Sequence, residues 1–246
     1  ITAVAFVDES QVLGGHRNGD IRRWSIEDRQ QQGPTMQADR RVYSIAVSRD
    51  GQWVVSGDYG NKAIVWNALT NEAVRHTGYV VGVKFSPDSS RFATASYYDG
   101  VRIYGTHDGK VLFDSGTRGS TNSSTPFAWS SDGQQLFIAS QGTITSVNIS
   151  DSSSSEWPIH AGSIVSNGRF IACSAGSSVS LWDCMSWKQI GSLITHSTVV
   201  GCVALSPSGG YLACGVGNNI TVHDLRDVLP SKYFVCGVSE LRHCAT

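Results

Sequence analysis

The sequence predicts an all-β chain made of six copies of one antiparallel four-stranded sheet, stacked because no copy can cover its own two faces. Three observations carry this expectation. A unit of strand, turn, strand, loop and strand recurs six times at a period of about 40 residues, which marks a repeat architecture. The second strand of each copy is apolar on both faces, so something must cover both of its sides. The third strand ends at Trp24, Trp66, Tyr104, Val147, Trp182 and His223 in successive copies, and most of these side chains are large. At 246 residues the chain still fits one large all-β domain, and residues 1–246 are read as a single domain.

The copies run in order as "AVAFVDESQVLGGHRNGDIRRWS" (3–25), "VYSIAVSRDGQWVVSGDYGNKAIVWN" (42–67), "VVGVKFSPDSSRFATASYYDGVRIYG" (80–105), "PFAWSSDGQQLFIASQGTITSVN" (126–148), "IVSNGRFIACSAGSSVSLWD" (164–183) and "VGCVALSPSGGYLACGVGNNITVHD" (200–224). First strands are rich in Val, Ile and Ala. They stop at turns such as "SRDG", "SPDS", "SSDG", "SNG" and "SPSG", where Ser, Asp and Asn supply side-chain caps and Gly permits positive φ. Second strands such as "WVVSG", "FATAS", "LFIAS", "FIACS" and "YLACG" follow as hairpin partners. Aligned on Ser56, they give a column of Gly14, Ser56, Ala95, Ala139, Cys173 and Cys214, which predicts a slot for small residues only. Cys173 and Cys214 are then core residues with no chemistry of their own. The bulky end of the third strand packs over this slot as a wedge between sheets, burying roughly 150–250 Å² for a tryptophan. Closing the stack into a ring covers nearly every face. Two Ser-rich stretches, 119–126 and 150–158, read as connectors. The tail 225–246 diverges, and its "KYFVC" is a candidate for the outer strand of the sixth copy.

These residues resemble the WD-repeat β-propellers. The resemblance rests on Trp182-Asp183, on the degenerate Trp24-Ser25, Trp66-Asn67 and His223-Asp224, on "FSPD" at 85–88, "LSPS" at 205–208 and the "SRDG" turn. The wording of the repeats is also similar to that of the large fungal WD-repeat families. The resemblance covers about residues 1–225 and implies structural roles for Trp24, Trp66, Tyr104 and Trp182. It also implies them for His76 and His196, each four residues before the first Val of a first strand. The family's aspartate, six residues before the tryptophan, is replaced by Asn18, Gly60, Tyr98, Gly176 and Gly217, so no copy carries the full Asp-His-Ser-Trp set. Three arrangements are compatible with six visible copies: a ring of six, a ring of seven with one blade outside this chain, and a ring whose last blade uses the tail.

Charge and motifs narrow the function. With 19 basic and 20 acidic residues and a net charge of −1, spread without a basic half, no global field favours nucleic acid or an anionic membrane. No stretch is long and apolar enough to span a bilayer, and no signal-like segment opens the chain. Ile1 in place of an initiator Met points to a fragment or processed chain. Phosphate-cradling, nucleophile-elbow and metal-site motifs are absent, so no enzyme activity, cofactor or metal is expected. Six cysteines without a CxxC pair, in a chain able to build a core, read as reduced thiols in the cytoplasm. His243-Cys244 is read as a chance pair.

What remains is surface. In a propeller the loops before first strands and between second and third strands gather on one face, and rigid scaffolds carry function on such loops. Here those loops hold His16, Arg17, Arg41, Tyr43, Tyr59, Tyr79, Tyr97 and Tyr98, and Tyr and Arg are enriched at interface hot spots. The expected function is a non-catalytic scaffold that binds a peptide or protein on this face. Two other readings stay open: a secreted, glycan-binding propeller with disulfides and sugar on Asn122 or Asn148, and a hydrolase sited in the channel.

Overall fold

The computed structural model describes residues 1–8, 10–60, 63–77, 80, 82–96, 100–116, 127–140, 143–159, 161–206 and 208–234. They fall into two compact units, Ile1–Thr125 and Pro126–Thr246.

The first unit holds three antiparallel meanders. β1 (Ala3–Phe6), β2 (Gln11–Gly15), β3 (Asp20–Ser25) and β4 (Gln31–Gln37) form one sheet in that order. β5 (Val42–Val47), β6 (Trp53–Asp58), β7 (Ala63–Asn67) and β8 (Ala73–Thr77) form the next, and β9 (Gly82–Phe85), β10 (Arg91–Ala95), β11 (Val101–Gly105) and β12 (Val111–Asp114) the third. The second unit repeats the plan. β13 (Phe127–Trp129), β14 (Gln135–Ser140), β15 (Thr143–Asn148) and β16 (Ser154–Trp157) make its first sheet. β17 (Ser163–Ser166), β18 (Phe170–Ala175), β19 (Ser178–Asp183) and β20 (Gln189–Thr195) make its second. β21 (Val200–Leu205), β22 (Tyr211–Val216) and β23 (Asn219–Asp224) make its third, which has three strands among the described residues. In all six sheets the expected bulky position is the last residue but one of the third strand. In the tail, Leu225–Asp227 and Ser231–Tyr233 form 3-10 turns, so Lys232 and Tyr233 of the "KYFVC" segment are not in a strand, and residues 235–246 lie outside the described residues.

Within each unit, core residues lie between neighbouring sheets, as two-sided second strands require. Trp66 packs with Leu13, Ile21 and Met36 of the preceding sheet, and Tyr104 packs with Val55 and Val65 of the sheet before its own. Trp182 lies against a cluster that includes Phe137 and Ile144, again from the preceding sheet. In each case the bulky third-strand residue is a wedge. Tyr104 is also stacked on its own-sheet neighbour Phe92 with ring centroids 5.0 Å apart.

Register corrects the small-residue column. Trp66 pairs with Val54 and Tyr104 with Phe92, while Val147 pairs with Leu136. Two residues further on, and on the same face, lie Ser56, Thr94 and Ile138. Ala95 and Ala139 are one residue out of step and therefore point to the opposite face. The column is Gly14, Ser56, Thr94, Ile138, Cys173 and Cys214, and it is not restricted to small residues. Volumes across the two strands vary inversely in two copies: Ser56 stands beside Trp66, and the copy that ends on the smaller Val147 carries the larger Ile138.

Three of the turns between first and second strands, in the second, third and fourth copies, share one hydrogen-bond pattern. Ser48, Ser86 and Ser130 donate to Asp50, Asp88 and Asp132 at 2.5, 2.6 and 2.6 Å. Each serine Oγ also accepts the N–H that opens the second strand, from Trp53, Arg91 and Gln135 at 2.9, 3.1 and 2.9 Å. The three aspartate carboxyls sit below their ordinary value. Hydrogen bonds are the leading cause at Asp50 and Asp132, and at Asp88 they outweigh an opposing effect of burial.

Candidate functional site

Of the loop residues singled out, His16, Arg17, Arg41, Tyr43 and Tyr59 are among the described residues, and they lie in or next to loops of the first two sheets. His16 and Arg17 lie in the turn between β2 and β3, Arg41 immediately precedes β5, Tyr43 is in β5 and Tyr59 follows β6. The backbone ties these loops together: the Val42 N–H donates to the His16 carbonyl at 3.1 Å and the Tyr59 N–H to the Arg41 carbonyl at 2.8 Å. Tyr43 and Tyr59 meet edge to face with centroids 5.8 Å apart, and the Arg41 guanidinium lies 5.2 Å from the Tyr43 ring centre. Tyr59 is 62 % exposed and Arg17 is exposed, while Arg41 and Tyr43 are half-buried. The result is a cation-on-aromatic cluster whose outer ring is open to solvent and whose inner groups are held by the scaffold.

His16 joins this cluster through the backbone. Its turn is braced by Asp20, whose carboxyl is held below its ordinary value by the Arg22 guanidinium at 2.6 Å and by Asn18. Tyr79, Tyr97 and Tyr98 lie outside the described residues, as do Asn61, Lys62 and Asp99. His76 lies in β8, where its backbone faces Ile64 across the strand pair.

A cleft of about 400 Å³ in the first unit, not foreseen from the repeat pattern, is lined by Arg49, Asp50, Trp53, Asp88, Ser90 and His107. It lies among the turns that close the hairpins. Trp53 and His107 form its aromatic wall, meeting edge to face at 6.3 Å. The available signal was the tryptophan that opens β6, a large side chain placed next to a turn rather than in the wedge position.

Two of the wedge tryptophans donate to different partners. Trp66 of the first unit donates to Ser56 Oγ at 2.8 Å across β7 and β6, whereas Trp182 donates to Ser180 Oγ of its own strand at 2.8 Å. In the last copy the equivalent of Trp66 is His223 and that of Ser56 is Cys214, and the nearby loop residue is His196. One donor atom from each of these three lies within 4.8 Å of the others. Burial and the neighbouring His196 push His223 below its ordinary value, and burial with Cys202 pushes the Cys214 thiol up. Cys173, Cys184, Cys202 and Cys214 are free thiols. Among the described residues no helix is long and apolar enough to cross a membrane.

Comparison with known proteins agrees with this organisation. A family model described as WD domain, G-beta repeat, matches residues 31–67, 70–111 and 187–224, the first and last matches ending with a third strand and the second at the start of β12. Among curated proteins, the chain is similar to Protein HIR1 of Candida albicans, 28% identical over 149 residues, or 53% of this chain and 16% of that protein. It is 21% identical to the Protein LST8 homolog of Drosophila melanogaster over 112 residues, 41% of this chain and 36% of that protein. It is 31% identical to a Chromatin assembly factor 1 subunit of Gallus gallus over 77 residues, 30% of this chain and 14% of that protein. The matches span at most 36% of the length of these three relatives.

Proposed function

We propose, from the premise that this chain carries WD repeats and is of the all-β propeller class, that it is a non-catalytic scaffold binding a peptide or protein partner through its loop face. The observation that supports this reading is the Arg41–Tyr43–Tyr59 cluster. It offers a large, partly apolar contact with polar ends, and its outermost ring is 62 % exposed. Tyr and Arg are enriched among the residues that dominate binding energy at protein interfaces, and Tyr buries much area at little rotamer cost.

The rest of the proposal follows from the chain's chemistry. A net charge of −1 spread without a basic half gives no global field toward nucleic acid, which favours a protein partner. One relative bears the name of a chromatin assembly factor, as one of its subunits, which supports a role within a protein assembly. The four free thiols suit a reducing compartment, and we place the protein in the cytoplasm. Residues 1–246 act as one domain in this reading, with Tyr79, Tyr97 and Tyr98 extending the same face. Affinity capture from an extract of the source cell tests it, comparing wild type with Tyr97→Ala/Tyr98→Ala after circular dichroism has shown both to be folded. A specific protein held by the wild type and lost by the variant supports the assignment, and equal recovery removes these tyrosines from the site.

A further inference from the structure

We propose that His196, Cys214 and His223 form a binding site for one zinc ion, which clamps the loop after β20 to strands β22 and β23. The three residues come from separate elements: the loop before β21, the middle of β22 and the end of β23. One ring nitrogen of each histidine and the Cys214 Sγ lie within 4.8 Å of one another, and the two rings meet edge to face with centroids 5.0 Å apart.

Two further observations point to a ligand. Nε2 of His196 and Nε2 of His223 are each shielded from solvent and have no hydrogen-bond partner among the described residues. Buried nitrogens without partners are uncommon because each forfeits its hydration, and coordination to a metal restores what is lost. The second observation comes from comparing copies. In the second copy the wedge and column positions are Trp66 and Ser56, joined by a hydrogen bond of 2.8 Å. The same two positions of the last copy hold His223 and Cys214, neither of which reproduces that bond. The substitution exchanges an indole and a hydroxyl for an imidazole and a thiol, so a hydrogen-bonding pair becomes a pair of metal ligands.

The donor set selects the class of ion, a borderline or soft transition metal of which zinc is the redox-inert member. Imidazole nitrogen and thiolate sulfur suit zinc and poorly suit magnesium or calcium, which require oxygen. Ligand atoms around tetrahedral zinc stand about 3.5 Å apart, so the three groups draw together by about 1 Å on binding. As the sulfur–zinc bond forms, the Cys214 thiol proton leaves to solvent, and a water completes the coordination. The gain falls on a sheet that needs it: in β23, Ile220 and Val222 are 77% and 62% exposed. A clamp across its strands restrains them where packing on one face does not.

The test uses the full chain, stripped of metal by chelator dialysis and titrated with Co(II) as a spectroscopic substitute, then with Zn(II) in competition. A Cys202→Ser/Cys236→Ser/Cys244→Ser variant removes the exposed Cys202 and the two tail thiols, so that any metal they hold is not counted. The expected result is one equivalent of cobalt, with a thiolate-to-cobalt charge-transfer band, in both wild type and this variant. Zinc displaces it. His196→Ala, a loop substitution, lowers affinity at least tenfold, and Cys214→Ser abolishes the charge-transfer band. The proposal is overturned if the background variant binds no cobalt, or if His196→Ala binds as tightly as wild type. His196→Ala decides the matter even if Cys214→Ser fails to fold.

Discussion

The Tyr233 hydroxyl donates to Asp183 Oδ2 at 2.8 Å, and the Tyr233 ring is buried against Phe170. Burial raises the Asp183 carboxyl, but hydrogen bonds from Ser186, Tyr233 and Met185 outweigh it and hold the group at about 2. A carboxylate depressed below its unfolded value adds stability that is complete above about pH 4 and is lost as pH falls toward 2. Tyr233→Phe is therefore expected to cost about 1–2 kcal/mol at pH 7 by urea unfolding, with the gap from wild type narrowing between pH 4 and pH 2. A gap independent of pH would show that the hydroxyl acts elsewhere. Backbone geometry gives a second case: Arg29, Asn71, Gly109, Ser152 and Trp187 stand five residues after successive wedge positions, all with φ between 58° and 64°. Only the third copy uses glycine there. Arg29 is exposed, so Arg29→Gly should raise stability by about 1 kcal/mol by removing the left-handed penalty on an L side chain. Trp187 tolerates the same geometry while its ring stacks on Trp157 at 3.6 Å.

At the level of the element, the Ser-x-Asp turn is the best-specified unit of the fold. Ser86 is 2% exposed and bridges the Arg91 N–H to the Asp88 carboxylate. Ser86→Ala removes both bonds, and the expected loss is about 1–2 kcal/mol by urea unfolding followed by tryptophan fluorescence. A loss below about 0.3 kcal/mol would mean that the turn holds without the serine. This turn and the third-strand wedge were legible in the sequence because each depends on local residue chemistry. The small-residue column was legible only in part. Pairing "FATAS" and "LFIAS" with "WVVSG" by residue size shifted Ala95 and Ala139 by one place, and strand alternation turned that single step into the wrong face. The inverse volumes, Ile138 with Val147 and Ser56 with Trp66, are set across two strands and cannot be read along one. Fourth strands such as Gln31–Gln37 and Gln189–Thr195 are mostly polar or exposed, which is why their pattern was silent.

For the whole molecule, repeat number and sheet content were readable because six copies average out the noise of any one. The site was readable to a lesser degree. Composition singled out Arg41, Tyr43 and Tyr59 as residue types, whereas their meeting depends on the Val42–His16 and Tyr59–Arg41 backbone bonds between loops. The cluster of His196, Cys214 and His223 was hidden because each residue had an adequate structural explanation by itself. The central claim is that the chain works by binding a protein through the Arg41–Tyr43–Tyr59 face. Tyr59 tests it most directly, since its ring is largely exposed and its removal spares the core. The decisive measurement is the Kd of a captured partner for wild type and for Tyr59→Ala, with equal thermal stability established for both. The account predicts a loss of tenfold or more, the range of an interface hot spot. An unchanged Kd in a folded variant would contradict it.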